Sequence, residues 1–103
     1  MNTAEYTMNE EDLKHTNANF FSGSKNMYLS KYFKRKGKPY KFKTLEEAMI
    51  VAMQYNECNG ITLEPKKGYT LRKGDKLLSA PTEEERKLDI CSWLKCHQVL
   101  DNV

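Results

Sequence analysis

Three cysteines and two histidines are the residues of this chain whose types and spacing could do chemistry. Cys91, Cys96 and His97 lie together in the segment CSWLKCH, and Cys58 stands alone. A structural zinc site usually has two ligand pairs, each separated by about two to four residues, so Cys58 would have to complete the set. On a strand, the odd spacing of Cys91 and Cys96 turns their side chains to opposite faces. The pattern therefore favours small buried or edge cysteines, and we expect no metal and no cofactor.

Cysteine catalysis would need a base within hydrogen-bond reach of the thiol. The histidines that could act as this base are His15 and His97, and neither lies in a recognisable motif. Helix capping and solubility explain the carboxylate pairs, which are Glu46 with Glu47 and the acidic run at residues 83–85. The Gly- and Lys-containing turns lack the spacing of a phosphate-binding loop. We therefore expect no enzymatic activity and no small-molecule substrate.

Length and composition predict one small domain. The chain has 103 residues, of which 39% are hydrophobic, and no stretch approaches the roughly 20 apolar residues of a membrane span. The odd number of cysteines favours reduced thiols, with one bridge and one leftover thiol as the open alternative. The N-terminal segment MNTAEYTMNEEDLKH has neither the basic start nor the apolar core of a signal peptide. We expect an intracellular protein or a component of a virion.

Positive charge is concentrated in the middle of the chain. Residues 24–43 contain eight Lys or Arg and no acidic residue. Such a block attracts phosphate or an acidic partner, or it forms a solvated face. Interleaved aromatic rings are typical of single-strand nucleic-acid binders, although a small core needs the same rings. The candidate partner-binding residues are Lys31, Lys34, Arg35, Lys36, Lys38, Tyr40 and Trp93.

Trp93 belongs to this set because an exposed Trp could stack on a sugar. A buried Trp93 would instead be a core residue.

The clearest local signal predicts a helix over residues 45–57. The segment TLEE is a capping box, in which Thr44 accepts from the N–H three residues on and Glu47 reaches back to the N–H of Thr44. An apolar stripe follows at helical spacing, and Asn59-Gly60 predicts the end of the helix. The stripe consists of Leu45, Ala48, Met49, Ala52 and Met53.

Short alternating segments predict strands on both sides of this helix. Before the helix, strands are predicted over residues 27–33 and 40–44. A single helical turn is the alternative for residues 27–33. The strands after the helix cover residues 61–64, 69–73 and 76–79, joined by tight turns as a meander. A charged loop over 80–87 leads to a last strand over 88–95, on which Cys91 and Trp93 share a face.

The predicted organisation is a flexible N-terminal arm over residues 1–19 and a single α+β domain over residues 20–103. The arm has no hydrophobic period. The domain is predicted to pack one helix on a small antiparallel sheet.

Residues 38–95 resemble the PAN/apple family. A helix is followed by a Cys, a short strand, a Gly-containing turn and a strand ending in Leu, and SWLK at residues 92–95 resembles the family's final strand. The matching residues are Cys58, Ile61, Leu63, Gly68, Tyr69 and Leu71.

The chain departs from this family at its disulfides. Ala52 and Tyr69 stand where the resemblance implies cysteines, so burial of apolar side chains would replace the bridge between helix and sheet. The resemblance implies an adhesion module that binds proteins or carbohydrates and has no shared catalytic residues. Similar short chains without disulfides occur in large DNA viruses.

Together these observations predict a non-enzymatic protein-binding or structural module, such as a minor component of a viral particle. The edge strands, the basic segment 31–43 and the acidic arm would be its contact surfaces, and its partner would be another protein or further copies of itself. A small basic nucleic-acid-binding protein and a glycan-binding module are the alternatives.

Overall fold

The computed structural model describes residues 11–12, 19–80 and 90–96. In this part of the chain one helix, α1, packs on antiparallel strands, which confirms the α+β class. The elements are β1 (Ser24–Lys25), β2 (Met27–Leu29), β3 (Lys34–Arg35), β4 (Lys38–Pro39), β5 (Lys41–Phe42), α1 (Leu45–Ala52), β6 (Gly60–Glu64), β7 (Gly68–Arg72), β8 (Leu77–Ser79) and β9 (Cys91–Leu94). Glu11 and Asp12 also have helical backbone.

The central sheet has five strands in the order β1-β9-β6-β7-β5. β6 and β7 pair along their whole length, with Ile61 opposite Leu71. On the other side of β6 lies β9, with Trp93 opposite Ile61. The pairs β2 with β8 and β3 with β4 form two smaller sheets.

The predicted meander is wrong at its third strand. β8 forms near the predicted place, but it pairs with β2 and not with β7. The N–H groups of Lys73 and Gly74 donate to the carbonyl oxygens of Lys31 and Ser30, at 2.8 and 2.9 Å. These bonds attach the chain to the end of β2 directly after β7. It therefore continues beside β2 instead of turning back into the central sheet.

Alternation along the strands gives the central sheet two different faces. Its apolar face packs on α1, where the stripe residues Leu45, Ala48, Met49 and Ala52 are buried. Met53, the fifth stripe residue, is exposed. The buried residues of the apolar face are Ile61, Leu63, Tyr69, Leu71, Cys91 and Trp93, and those of the opposite face are Thr62, Thr70, Arg72 and Ser92.

The polar face is covered by β2 through hydrogen bonds. The N–H of Leu29 donates to Thr62 Oγ1 at 3.0 Å, and the Ser92 hydroxyl donates to the Met27 carbonyl at 2.8 Å. The Thr62 and Ser92 oxygens are 2.7 Å apart. A hydroxyl has one proton to donate, so Thr62 donates to Ser92. The small hydroxyl side chains thus let β2 approach the sheet without leaving buried polar groups unpaired.

α1 begins where the capping box predicts. Thr44 has extended backbone, and its Oγ1 accepts from the N–H of Glu47 at 3.2 Å. The reciprocal contact differs from the prediction, because the Thr44 hydroxyl lies 3.2 Å from Glu47 Oε1 and donates to it. Glu46 and Glu47 lie in the first turn, where the helix dipole favours negative charge.

The predicted end of the helix is wrong, since α1 ends at Ala52 and its C-cap is Met53. The buried Lys95 ammonium donates to the carbonyl oxygens of Ala52 and Tyr55, at 2.8 and 3.0 Å. A cation satisfying these last carbonyl groups stabilises the helix end. Lys95 directly follows β9, so the residue that stabilises the helix end lies over 40 positions away in the sequence.

Gly60 does not cap the helix but opens β6. A Cβ atom there would lie 2.4 Å from Leu29 Cδ1 and 2.7 Å from the Trp93 carbonyl oxygen. Glycine is therefore required by the close approach of β2 and β9, not by a left-handed backbone.

The strand predicted over residues 27–33 is interrupted. β2 ends at Leu29, and Lys31 has a positive φ of 58°, which turns the chain. Tyr32 then forms an isolated bridge with Arg72. Of the strand predicted over 40–44, β5 forms only at Lys41–Phe42.

Several predictions fall outside the described residues. These concern residues 1–10 and 13–18 of the arm, residues 81–87 of the charged loop, and the start of the last strand at 88–89. No helix within the described ranges has the length and apolar character that crossing a membrane requires.

A basic hairpin as the candidate binding site

β3 and β4 form a hairpin whose two-residue loop is Lys36-Gly37. The pairs are Lys34 with Pro39 and Arg35 with Lys38. Both loop residues have positive φ, 55° for Lys36 and 79° for Gly37. This is the backbone of a type I′ turn, whose twist matches that of paired strands. The basic residues that lie between the strands predicted over 27–33 and 40–44 therefore form an ordered hairpin.

The hairpin carries its charge into solvent. Lys34, Arg35, Lys36 and Lys38 are all exposed, as are Lys41 and Lys43 just beyond it. Segment 31–43 has seven basic residues and no acidic one, so it attracts anions.

Four aromatic rings pack at the base of the hairpin. Phe33 is buried, whereas Tyr40, Phe42 and Tyr55 are half-buried. The Tyr40 ring centroid lies 5.9 Å from Phe33, 6.0 Å from Phe42 and 6.1 Å from Tyr55. These separations are typical of interacting aromatic pairs. Tyr40 therefore lies at the centre of the cluster and contacts rings from three separate segments of the chain.

Arg35 joins the charges to the rings. Its Nη1 donates to the Tyr55 hydroxyl at 2.6 Å, and its guanidinium lies 5.2 Å from the centre of the Tyr55 ring. A side-chain hydrogen bond with Tyr55 raises the pKa of the Tyr40 hydroxyl above its ordinary value. Tyr55 therefore contacts both Arg35 and Tyr40. We call residues 34–38 with Tyr40, Phe42 and Tyr55 the basic hairpin surface.

Two of the sequence-predicted binding residues lie elsewhere. Lys31 lines an open cleft of about 350 Å³ together with Ser30, Asn59, Lys73, Gly74 and Asp75. Trp93 is 0% exposed, and its Nε1 donates to the Asp12 carbonyl oxygen at 2.8 Å. Its ring packs against Tyr69 in the core and does not face an external sugar.

Tyr55 is the surface residue that sequence analysis missed. It was placed inside a helix over 45–57, where nothing distinguishes it. Its position beside Arg35 follows from the early end of α1, which the sequence does not signal locally.

The cysteines lie away from this surface and are free thiols. Cys58 and Cys91 are buried, and Cys96 is partly exposed. The Cys58 thiol is 3.4 Å from the Gly60 carbonyl oxygen and donates to it. Burial raises the pKa of Cys58, and it raises the pKa of Cys91 to about 12. Both are therefore neutral thiols at neutral pH, and a thiol is a poor nucleophile and ligand.

No three His, Cys, Asp or Glu side chains in the described ranges come together to hold a metal ion. His15 and His97, the candidate bases, lie outside those ranges.

Arg72 forms a second polar cluster, which is structural. Its guanidinium donates to the Leu29 carbonyl, to Thr70 Oγ1 and to Glu64, and it lies 4.1 Å from the centre of the Tyr32 ring. The Tyr32 hydroxyl also donates to Glu64, at 2.6 Å. This cluster fixes the segment after β2 against the central sheet.

No family model, no curated protein and no solved structure matches the chain in comparisons with known proteins. The resemblance to PAN/apple domains therefore stays a prediction.

Proposed function

We propose that this protein is a non-enzymatic binding module with a structural or assembly role, which binds an anionic partner through the basic hairpin surface. The observation that carries the proposal is the exposure of Lys34, Arg35, Lys36 and Lys38 on one ordered hairpin.

The geometry of the hairpin supports binding. A type I′ loop holds the two short strands in register, so the backbone loses little freedom when a partner binds. The charges are already in solvent, so the desolvation cost is small compared with that of a buried ion pair. The half-buried rings add apolar area beside the charges, which surface lysines alone do not offer.

The interior supports a binding role over a catalytic one. The buried thiols of Cys58 and Cys91 are neutral at neutral pH, and the guanidinium of Arg72 is engaged by protein groups. The thiols are part of the packed core, and the guanidinium holds neighbouring segments together by hydrogen bonds.

We further propose the PAN/apple kinship and a place in a larger particle such as a virion. The succession of α1, β6 and β7, which is the order that the resemblance implies, supports the kinship. Strand addition at the sheet edge β5 is a physical route to contact within such a particle. A protein partner or further copies of this chain would supply the added strand.

Salt-dependent retention on a polyanion column tests the binding surface. Replacing Lys34, Lys36 and Lys38 with Gln removes three charges from the hairpin while retaining the Arg35 contact with Tyr55. The control variant replaces Lys66, Lys73 and Lys76, which are also exposed. Both variants reduce the formal net charge from +3 to zero.

We expect the hairpin variant to leave heparin at a clearly lower salt concentration than the control variant, because a local site depends on where the charges lie. Equal elution of the two variants would contradict the proposal and indicate retention by net charge alone.

A further inference from the structure

We infer that the anion bound at the basic hairpin surface is a single-stranded nucleic acid, with a base stacked on Tyr40. This inference rests on the proposed function and specifies its ligand.

Tyr40 is a prearranged stacking platform. Contacts with Phe33, Phe42 and Tyr55 hold the orientation of its ring, while the side chain stays partly open to solvent. Its backbone is fixed as well, because its N–H donates to the Phe33 carbonyl at 3.2 Å and its carbonyl accepts from Leu71 at 3.1 Å. A base can therefore stack without first ordering the ring.

The rings of the cluster differ in how available they are to a base. The Arg35 guanidinium lies over the Tyr55 ring, 5.2 Å from its centre, and also holds the Tyr55 hydroxyl. Phe33 is buried. Tyr40 and Phe42 remain as the aromatic side chains of this cluster that are neither buried nor covered by Arg35. Of these two, Tyr40 directly follows β4 and contacts all three other rings of the cluster.

The basic hairpin surface combines aromatic rings with cations. Single-strand binders join a positive groove that follows the phosphates to rings on which bases stack. In a duplex the bases are stacked on one another and cannot reach a ring on the protein surface. An acidic peptide would use the lysines and leave the ring without a partner. The surface contains both parts that a single strand needs.

Fluorescence anisotropy with three anionic probes tests the inference on the full chain. The probes are a dye-labelled 12-residue oligothymidine, an abasic oligonucleotide of the same length and backbone charge, and polyglutamate. We expect oligothymidine to bind about 5- to 100-fold more tightly than the abasic strand, since stacking is the difference between them. The affinity should also fall with salt, because each neutralised phosphate releases counterions.

Two variants assign the difference to Tyr40. We expect Tyr40→Leu, which retains bulk without the ring, to bind oligothymidine about 5- to 100-fold more weakly and to leave affinity for the abasic strand unchanged. Tyr40→Phe should bind like the wild-type chain. A thermal melt of each variant verifies folding, and the comparison of probes on the wild-type chain needs no variant.

The outcomes separate this inference from the proposed function. Equal affinity for oligothymidine and the abasic strand overturns the inference, and so does tighter binding of polyglutamate, which would indicate an acidic protein partner. In both cases sensitivity to the Lys34, Lys36 and Lys38 variant would still support the proposed function. If none of the three probes binds through the hairpin, both fail.

Discussion

The Lys95 ammonium donates to the carbonyl oxygen of Ala52 at 2.8 Å and so stabilises the end of a helix that lies over 40 positions earlier in the sequence. Lys95 is only 8% exposed, so its charge is removed from water and compensated by two carbonyl groups. Burial lowers the pKa of this amine below its ordinary value. Helix and central sheet are thus joined by hydrogen bonds as well as by apolar contacts.

Replacing Lys95 with Met should destabilise the fold. The variant retains most of the apolar stem but removes the two hydrogen bonds from the ammonium group. The carbonyl groups of Ala52 and Tyr55 then accept only from the N–H groups of Tyr55 and Cys58, and the loss of the charged donor costs about 1–3 kcal/mol. Urea unfolding followed by circular dichroism measures this loss. Lys66→Met, at an exposed turn position, is the control and should change stability by less than about 0.5 kcal/mol. Equal effects would mean that the Lys95 contacts contribute nothing.

Gly60→Ala should destabilise the fold through a steric clash. The new methyl group would meet the Leu29 side chain and the Trp93 carbonyl oxygen, and overpacking of this kind costs about 1–3 kcal/mol. Leu29→Val should not restore stability in the double variant, because the backbone oxygen remains. Gly37→Asn is the control, since Gly37 has open space around it and Asn tolerates a positive φ. Urea unfolding measures the free energy of unfolding of each variant. An equal effect of Gly60→Ala and Gly37→Asn would contradict the steric clash.

Thiol reactivity should separate the three cysteines. Cys96 is partly exposed, whereas Cys58 and Cys91 are buried with raised pKa values. We expect one thiol to react rapidly with a disulfide reagent in the native protein and all three to react in denaturant. Cys96→Ser should abolish the rapid phase. Fewer than three reactive thiols after unfolding would indicate a disulfide and contradict the structure.

Stability should fall as the pH rises above about 9. The pKa of Cys91 is raised from 9.0 to about 12 in the folded state, so the unfolded chain loses this proton first. Rising pH therefore stabilises the unfolded chain relative to the folded protein. Cys58 and Tyr69 act in the same direction because their pKa values are also raised. Lys95, with a lowered pKa, acts in the opposite direction.

Cys91→Ala isolates one of these contributions. The variant should weaken the fall in the free energy of unfolding above pH 9 by up to about 1.4 kcal/mol per pH unit, the value for one proton. Urea unfolding at several pH values between 7 and 10.5 measures both slopes. An unchanged slope in the variant would show that Cys91 does not titrate on unfolding.

Asp12 should connect the arm region to the core. Its Oδ2 accepts from the Tyr69 hydroxyl at 2.9 Å, and its carbonyl accepts from Trp93 Nε1. Deleting residues 1–12 should therefore shift the Trp93 fluorescence emission to longer wavelength and lower stability by about 1–3 kcal/mol. Deleting residues 1–10, which leaves Asp12 in place, is the matched control and should have the smaller effect on both properties. Identical spectra of the two truncations would contradict the Asp12 contacts.

The sequence alone predicted the features that depend on near neighbours. Thr44 caps α1 because its hydroxyl needs only the N–H three residues away. The alternation in β6 and β7 was readable because apolar side chains occupy one face and polar side chains the other, although both faces are buried. The same local charge count located the lysines of the candidate site.

Tertiary structure decided the features that depend on distant residues. β8 pairs with β2, Gly60 lies against Leu29 and Trp93, and Lys95 stabilises the end of α1. Each of these contacts links positions more than 30 residues apart. It also placed Trp93 in the core and brought Tyr55 to the hairpin. A local pattern encodes which side of an element is apolar, but not which element covers it. That choice depends on the packing and hydrogen bonding of the whole domain, so it became visible only in three dimensions.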